Sequence, residues 1–237
     1  MEEVLAQPIF DRSLPLLGQA AISRLIKSKV AIFGLGGVGS YAAEALARSG
    51  IGHFDLIDPD VVDPTNLNRQ LCASNSTVGE LKVTVVANRI KDINPKAICQ
   101  EHPVRYQAEQ GLDFLPNKPD FIVDAIDDLK AKIDLIIQAN NQGIPIISAL
   151  GAGNKFDPTA FEIADIYETY NDPLAKRIRG KLRKAGIKNQ PVVFSPEKPA
   201  IKNTSTIPSL PFVPSVSGLI CASYVVKEIS KKQNEIS

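Results

Sequence analysis

The sequence predicts an α/β fold: a mostly parallel sheet with helices on both faces, then a basic, proline-rich C-terminal extension that ends in a helix. Three observations predict it. Short apolar runs alternate with helix-length stretches between residues 19 and 148, as repeated strand–helix–strand units do. The first apolar run ends in a glycine cluster that opens a helix. Beyond residue 153 the alternation gives way to a basic stretch and then to closely spaced prolines.

The elements follow in chain order. Residues 19–27 space their apolar side chains like a helix. Residues 29–33 (KVAIF) form a short apolar run bounded by glycines, which reads as a buried parallel strand. An alanine-rich helix covers 38–49, and residues 53–58 (HFDLID) form a second strand. A helix over 79–92 is stopped by Asn94-Pro95. Residues 97–101 make a weaker strand, and residues 121–126 (FIVDAI) a stronger one. A helix over 129–142 is ended by Gly143, and residues 144–148 (IPIIS) are a further strand. Residues 172–188 are strongly basic, and residues 189–214 hold six prolines, so an irregular, partly mobile connection is expected there. An amphipathic helix over 216–230 and a frayed polar tail from Lys231 close the chain. The 237 residues suit a single domain, with a nucleotide-binding core over 1–153 and an extension over 154–237.

Bulk properties exclude several classes. Hydrophobic residues make up 44% and charged residues 22%, the composition of an ordinary soluble domain. A net charge of +1 draws no whole-molecule attraction to nucleic acid. Three scattered cysteines, Cys72, Cys99 and Cys221, give neither a disulfide framework nor a CxxC pair. The N-terminus lacks the basic start and apolar stretch of a signal peptide, and no window of about 18 uncharged apolar residues spans a membrane. A reducing cytoplasm is therefore the expected location.

Four motifs carry chemistry. Gly34-Leu35-Gly36-Gly37-Val38-Gly39-Ser40 follows a strand and opens a helix. Its glycines permit a tight turn and let backbone N–H groups approach a phosphate at the helix N-terminus, a Rossmann-like arrangement. Asp58-Pro59-Asp60 ends the second strand, where an acidic side chain accepts ribose hydroxyls. An NAD site would show the same two features. Asn66, Arg69 and Gln70 follow, and Lys82 lies 13 residues beyond Arg69. Hydride transfer needs no such cations. AMP transfer does, because negative charge builds on the α-phosphate and the leaving pyrophosphate. Last, Asp124-Ala125-Ile126-Asp127-Asp128 sits at a strand end. There Asp127 is the candidate for Mg²⁺ on a triphosphate, and Asp128 suits a helix cap.

The order GxGGxG, DxD, NxNRQ, downstream Lys and strand-end DAxD resembles the ThiF-type superfamily of adenylating enzymes over roughly residues 10–150. That resemblance implies ATP and Mg²⁺ as ligands and admits a monovalent cation. It implies that Asp58 and Lys82 contact ribose and phosphates, that Asn66 and Arg69 hold the triphosphate, and that Asp127 serves Mg²⁺. It also implies a homodimer in which Arg12 enters the partner's active site. The usual pattern carries another arginine where this chain has Ile9.

Residues 43–52 (AEALARSGIG), Asp127-Asp128, Gly151-Ala152-Gly153, residues 172–177 (DPLAKR) and residues 212–223 (FVPSVSGLICAS) are similar to the tRNA threonylcarbamoyladenosine dehydratase branch. Such enzymes adenylate the threonylcarbamoyl carboxylate beside the anticodon; an internal nucleophile then closes a ring and expels AMP. The implied partners are tRNA and a docking sulfur-transfer protein, with no membrane. Lys176, Arg177, Arg179, Lys181, Arg183, Lys184 and Lys188 are the candidate tRNA contacts, against the alternative of a solvated helix face. The main rival is an enzyme adenylating the C-terminus of a ubiquitin-like sulfur-carrier protein. That branch commonly holds zinc through two CxxC pairs, and three cysteines with His53 and His102 supply no such set. An NAD oxidoreductase leaves Arg69 and Lys82 unexplained, and a nucleotide-sensing module needs no catalysis.

Overall fold

A computed structural model describes residues 7–202 and 206–231. A short 3₁₀ turn, Pro8–Phe10, leads into α1 (Leu14–Lys27), which is kinked at Gly18. The core alternates β1 (Lys29–Phe33), α2 (Gly39–Arg48), β2 (His53–Ile57), α3 (Lys82–Ile93), β3 (Ile98–His102), β4 (Phe121–Asp124), α4 (Leu129–Asn141) and β5 (Ile146–Ala149). Then come β6 (Glu162–Asp165), α5 (Pro173–Lys184), β7 (Pro191–Phe194) and α6 (Phe212–Lys231).

Seven strands form one sheet in the order β3-β2-β1-β4-β5-β7-β6. Every neighbouring pair is parallel except β6 with β7. The central strands are apolar because both sheet faces are covered. Val30, Ile32, Phe54, Val123 and Ile147 pack against α2, α3 and α6 on one face. Ala31, Phe33, Ile122 and Ile146 pack with α4 and α5 on the other. Burying one such aliphatic side chain stabilises the fold by about 1.5–3 kcal/mol.

The strand order reverses between β1 and β4. The carboxyl ends of the strands at such a reversal are the usual ligand position in an open α/β sheet.

The extension departs from expectation. Residues 189–214 were expected to be irregular throughout, yet Val192, Val193 and Phe194 are buried in β7, which pairs with both β5 and β6. Pro191 is tolerated because it stands at the first strand position, where its missing N–H disturbs the ladder least. β6 carried no recognised signal, since a four-residue edge strand leaves little alternation to see. The described residues of the remainder, 195–202 and 206–211, are irregular but tied down. Asn154 bonds both ways to the Ile201 backbone, and the Lys155 ammonium donates to the Ser195 and Glu197 carbonyls. Residues 203–205 and the tail beyond Lys231 lie outside the described residues.

The final helix is apolar on most sides rather than amphipathic, because it packs on both α1 and α2. It is long and apolar enough to cross a membrane by length and composition alone; half of that stretch is buried in the fold. Arg24 on α1 reaches the backbone carbonyls of Ile229 and Ser230 at its far end.

Candidate nucleotide site

The glycine loop is shaped by close contacts. Gly34 has φ +87°, a left-handed conformation that L side chains rarely adopt, and a Cβ there would stand 2.7 Å from the Ala125 carbonyl oxygen. A Cβ on Gly39 would lie 1.8 Å from the Gly34 oxygen, so the loop closes on itself without room for a methyl group. The Ser40 hydroxyl donates to the Gly36 carbonyl at 2.7 Å and accepts from the Leu71 amide at 3.2 Å. That one side chain knits the loop to the segment after Arg69.

Asp58, at the end of β2, is buried behind the loop. One carboxylate oxygen accepts the Leu35 amide at 2.6 Å and the other accepts the Asp60 amide at 2.9 Å. Burial raises its pKa above the usual carboxylate range, opposed by these two amides and by Lys82. Each oxygen keeps a lone pair for a further donor, so Asp58 fixes the loop and can still accept a ribose hydroxyl.

Lys82 opens α3 and is 5% exposed, its ammonium 3.0 Å from Asp60. Arg105 lies 3.5 Å from the other Asp60 oxygen and had no place in the sequence motifs. The expectation that Asp60 faces a ligand directly is thus modified: it is first the counterion of two cations. Asn66 is buried in a 3₁₀ turn (Pro64–Asn66). Its side-chain oxygen accepts the Asp63 amide at 3.1 Å, which leaves the amide nitrogen without a protein partner among the described residues. Arg69 donates to the Thr65 carbonyl and to Asn68 Oδ1, both at 2.9 Å, so its guanidinium is held in place. The Gln70 amide nitrogen would be 3.6 Å from a Cβ placed on Gly36.

Asp127 and Asp128 separate cleanly. Asp128 is the N-cap of α4 and accepts the Ala131 amide at 2.7 Å. Asp127 is exposed and makes no hydrogen bond or ion pair among the described residues. The structure therefore sets the glycine loop (Gly34, Gly36, Gly37 and Gly39) against Asp58, Gln70 and the Arg69 backbone, and Lys82 against Asp60, while the side chains of Asn66 and Arg69 bond within their own turn. Asp127 stands on the loop that backs onto Gly34. Arg12 is not part of this cluster. It is exposed in the turn before α1 and bonds to nothing among the described residues.

The basic segment is α5, begun by an Asp172 N-cap. Arg179 is no free cation: its guanidinium donates to the Thr169 and Ile166 carbonyls and to the Thr169 hydroxyl. Arg183 lies over the Tyr167 ring at 5.4 Å. Lys176, Arg177, Lys181, Lys184 and Lys188 are exposed. The cysteine thiols are held protonated: burial pushes Cys72 and Cys99 up to about 11 and Cys221 to about 12.

A cleft of about 570 Å³ lies beside the nucleotide crevice, lined by Ser40, Glu44, Cys72, Val86 and Arg89. It sits between α2 and α3, away from Asp58 and Asp127. The crevice that holds the motifs is the better candidate, because the glycine loop and the cations converge there.

The chain is similar to known proteins. A tRNA threonylcarbamoyladenosine dehydratase of Bacillus subtilis is 44% identical over 240 residues, covering 94% of each chain. One of Haemophilus influenzae is 42% identical over 164 residues, covering 69% of this chain and 63% of the relative. The crystal structure of the Escherichia coli tRNA N6-threonylcarbamoyladenosine dehydratase in complex with ATP superposes with a TM-score of 0.89 at 31% identity, covering 96% of both chains. A profile of the ThiF family matches residues 10–237, and the chain belongs to that family.

Proposed function

We propose that this chain is an ATP-dependent tRNA threonylcarbamoyladenosine dehydratase. The observation that supports it most is the glycine loop tied to Asp58, with Lys82 on Asp60 and the Arg69 backbone against Gly37, in a chain that matches such dehydratases almost end to end. The glycine-loop amides and the α2 N-terminus receive the phosphates. Asp58 accepts a ribose hydroxyl. A carboxylate oxygen of the substrate attacks the α-phosphorus as the bond to pyrophosphate breaks, and Lys82 and Arg69 offset the charge that builds on both. An internal nucleophile of the same substrate then attacks the activated carbonyl, and AMP leaves with the carboxylate oxygen.

Mg²⁺ takes oxygen ligands, commonly one or two carboxylates plus phosphate oxygens. The exposed, unengaged Asp127 fits that donor set, and a bound ion would neutralise charge on the triphosphate. No thiol takes part, in keeping with three cysteines held protonated. The exposed lysines and arginine of α5 are the proposed backbone contacts to tRNA, which makes binding weaken steeply with salt. The protein acts as a homodimer, with Arg12 supplied to the partner's crevice.

The test is to incubate the protein with ATP, Mg²⁺ and threonylcarbamoylated tRNA and to analyse the nucleosides by mass spectrometry. The expected result is a nucleoside lighter by one water, formed with AMP and pyrophosphate. ATP–pyrophosphate exchange driven by a carrier-protein C-terminus and not by tRNA would assign the rival activity instead.

A further inference from the structure

At the end of β4 lies a buried ion pair between the first residue of the fourth motif and a lysine of α4, a pair to which the proposed mechanism gives no role. Asp124, the last residue of β4, is 0% exposed, and Lys132, on the second turn of α4, is 1% exposed. The ammonium is 2.8 Å from one carboxylate oxygen and 3.4 Å from the Asp124 backbone carbonyl. The same carboxylate oxygen accepts the Ile126 amide at 3.1 Å. Oδ1 and the backbone carbonyl of Asp124 are thus engaged at the point where the chain leaves the sheet, while Oδ2 is buried without a hydrogen-bond partner. Four residues on, Asp128 caps α4.

The loop between these anchors carries Asp127. Its Ala125 amide donates to the Phe33 carbonyl at 2.8 Å, and its Ala125 oxygen is what forbids a Cβ on Gly34. The loop is therefore pressed on the phosphate-binding turn, and the direction in which it leaves β4 is set by the buried pair. Two fully buried charges are a costly way to stabilise a fold, since well-packed apolar side chains do as well or better. Their particular service here is geometric.

We propose that Lys132 is a positioning residue: through its buried pair with Asp124 it holds the Asp127 loop against the glycine loop at the spacing that lets Asp127 serve a nucleotide-bound Mg²⁺. This rests on the proposed role of Asp127. Groups that orient a metal ligand typically change metal affinity or activity by roughly 10–100-fold when lost.

The experiment measures ATP affinity by calorimetry with and without Mg²⁺, together with thermal unfolding. The variants are Lys132→Gln, Lys132→Arg, the double variant Asp124→Leu/Lys132→Met, and Asp127→Asn. The double variant removes both charges, so no orphaned buried ion remains and its melting should stay near wild type. Expected is that it and Lys132→Gln keep Mg²⁺-free ATP affinity but lose roughly 10–100-fold of the Mg²⁺-linked gain, while Lys132→Arg restores most of it. If either folded charge-removing variant keeps the full gain, the pair is structural only and the proposal is overturned. If Asp127→Asn also keeps the gain, the Asp127 role falls and this proposal with it. If Asp127→Asn alone loses the gain, only the Lys132 role falls.

Discussion

Lys82 stands at the start of α3 with its ammonium against Asp60, so its charge is partly neutralised until a phosphate competes for it. Arg69 is held differently, by a carbonyl and an amide oxygen, and meets no carboxylate among the described residues. Changing either residue to alanine should lower adenylation by about 10²–10³-fold with the fold intact, as for other single charge-stabilising donors. Turnover near wild type in either variant, measured by pyrophosphate release, would refute its role. The cysteines make the opposite prediction. Serine or alanine at all three positions should leave dehydration measurable. Their folded-state pKa values of about 11 to 12 lie above the ordinary 9.0. Their contribution to stability is therefore fully present below pH 9 and lost as pH rises through 11 to 12. Chemical denaturation across that range should show a fall in stability that the cysteine-free variant shows less.

Among the elements, the β4–α4 junction sets two adjacent carboxylates in different surroundings: Asp128 caps α4, and Asp127 is exposed and unpaired among the described residues. Asp128→Ala should cost about 1 kcal/mol of stability, the usual loss for an N-cap, and leave Mg²⁺ dependence alone. Asp127→Asn should do the reverse, with melting near wild type and a defect that added Mg²⁺ reduces. If the Asp127→Asn defect ignores Mg²⁺ concentration, the metal role is wrong. The sequence made this division legible because cap and ligand positions follow from where a helix begins. It made β1, β4 and β5 legible for a related reason: strands covered on both faces must be continuously apolar, as Val30 to Phe33 and Phe121 to Val123 are. β7 stayed hidden because Pro191 and Pro196 bracket only four strand residues, and proline spacing argued for a loop. The pairing of Lys132 with Asp124 stayed hidden for want of a local signal, since a lysine on a helix usually faces water.

At the scale of the whole molecule the open question is where Arg12 acts. It lies exposed before α1, free of contacts among the described residues, and the crevice already holds Arg69 and Arg105 from its own chain. Supply of an arginine across an interface is a known device for stabilising phosphoryl charge. Mixing Arg12→Ala chains with Arg69→Ala chains under subunit exchange should restore part of the activity, because the mixed dimer then contains one site with both arginines. Recovery absent despite confirmed exchange would place Arg12 in its own site. A monomer at working concentration, seen by analytical ultracentrifugation, would remove the dimer proposal itself.

The last helix has a consequence for synthesis. Pro214 lies 3.2 Å from the position of a Cβ on Gly37, and Gly218 packs so tightly on Val38 that a Cβ would meet its carbonyl oxygen at 2.2 Å. The phosphate turn is thus buttressed by residues translated long after it. A nascent chain released before α6 has no backing for that turn, however complete the strands before it. Stalled or prematurely terminated chains ending at about residue 210 should therefore fail to retain ATP and should present the bare apolar faces of α1 and α2 to proteases. Limited proteolysis of ribosome-bound chains of increasing length should show resistance, and nucleotide protection of it, arriving together and late.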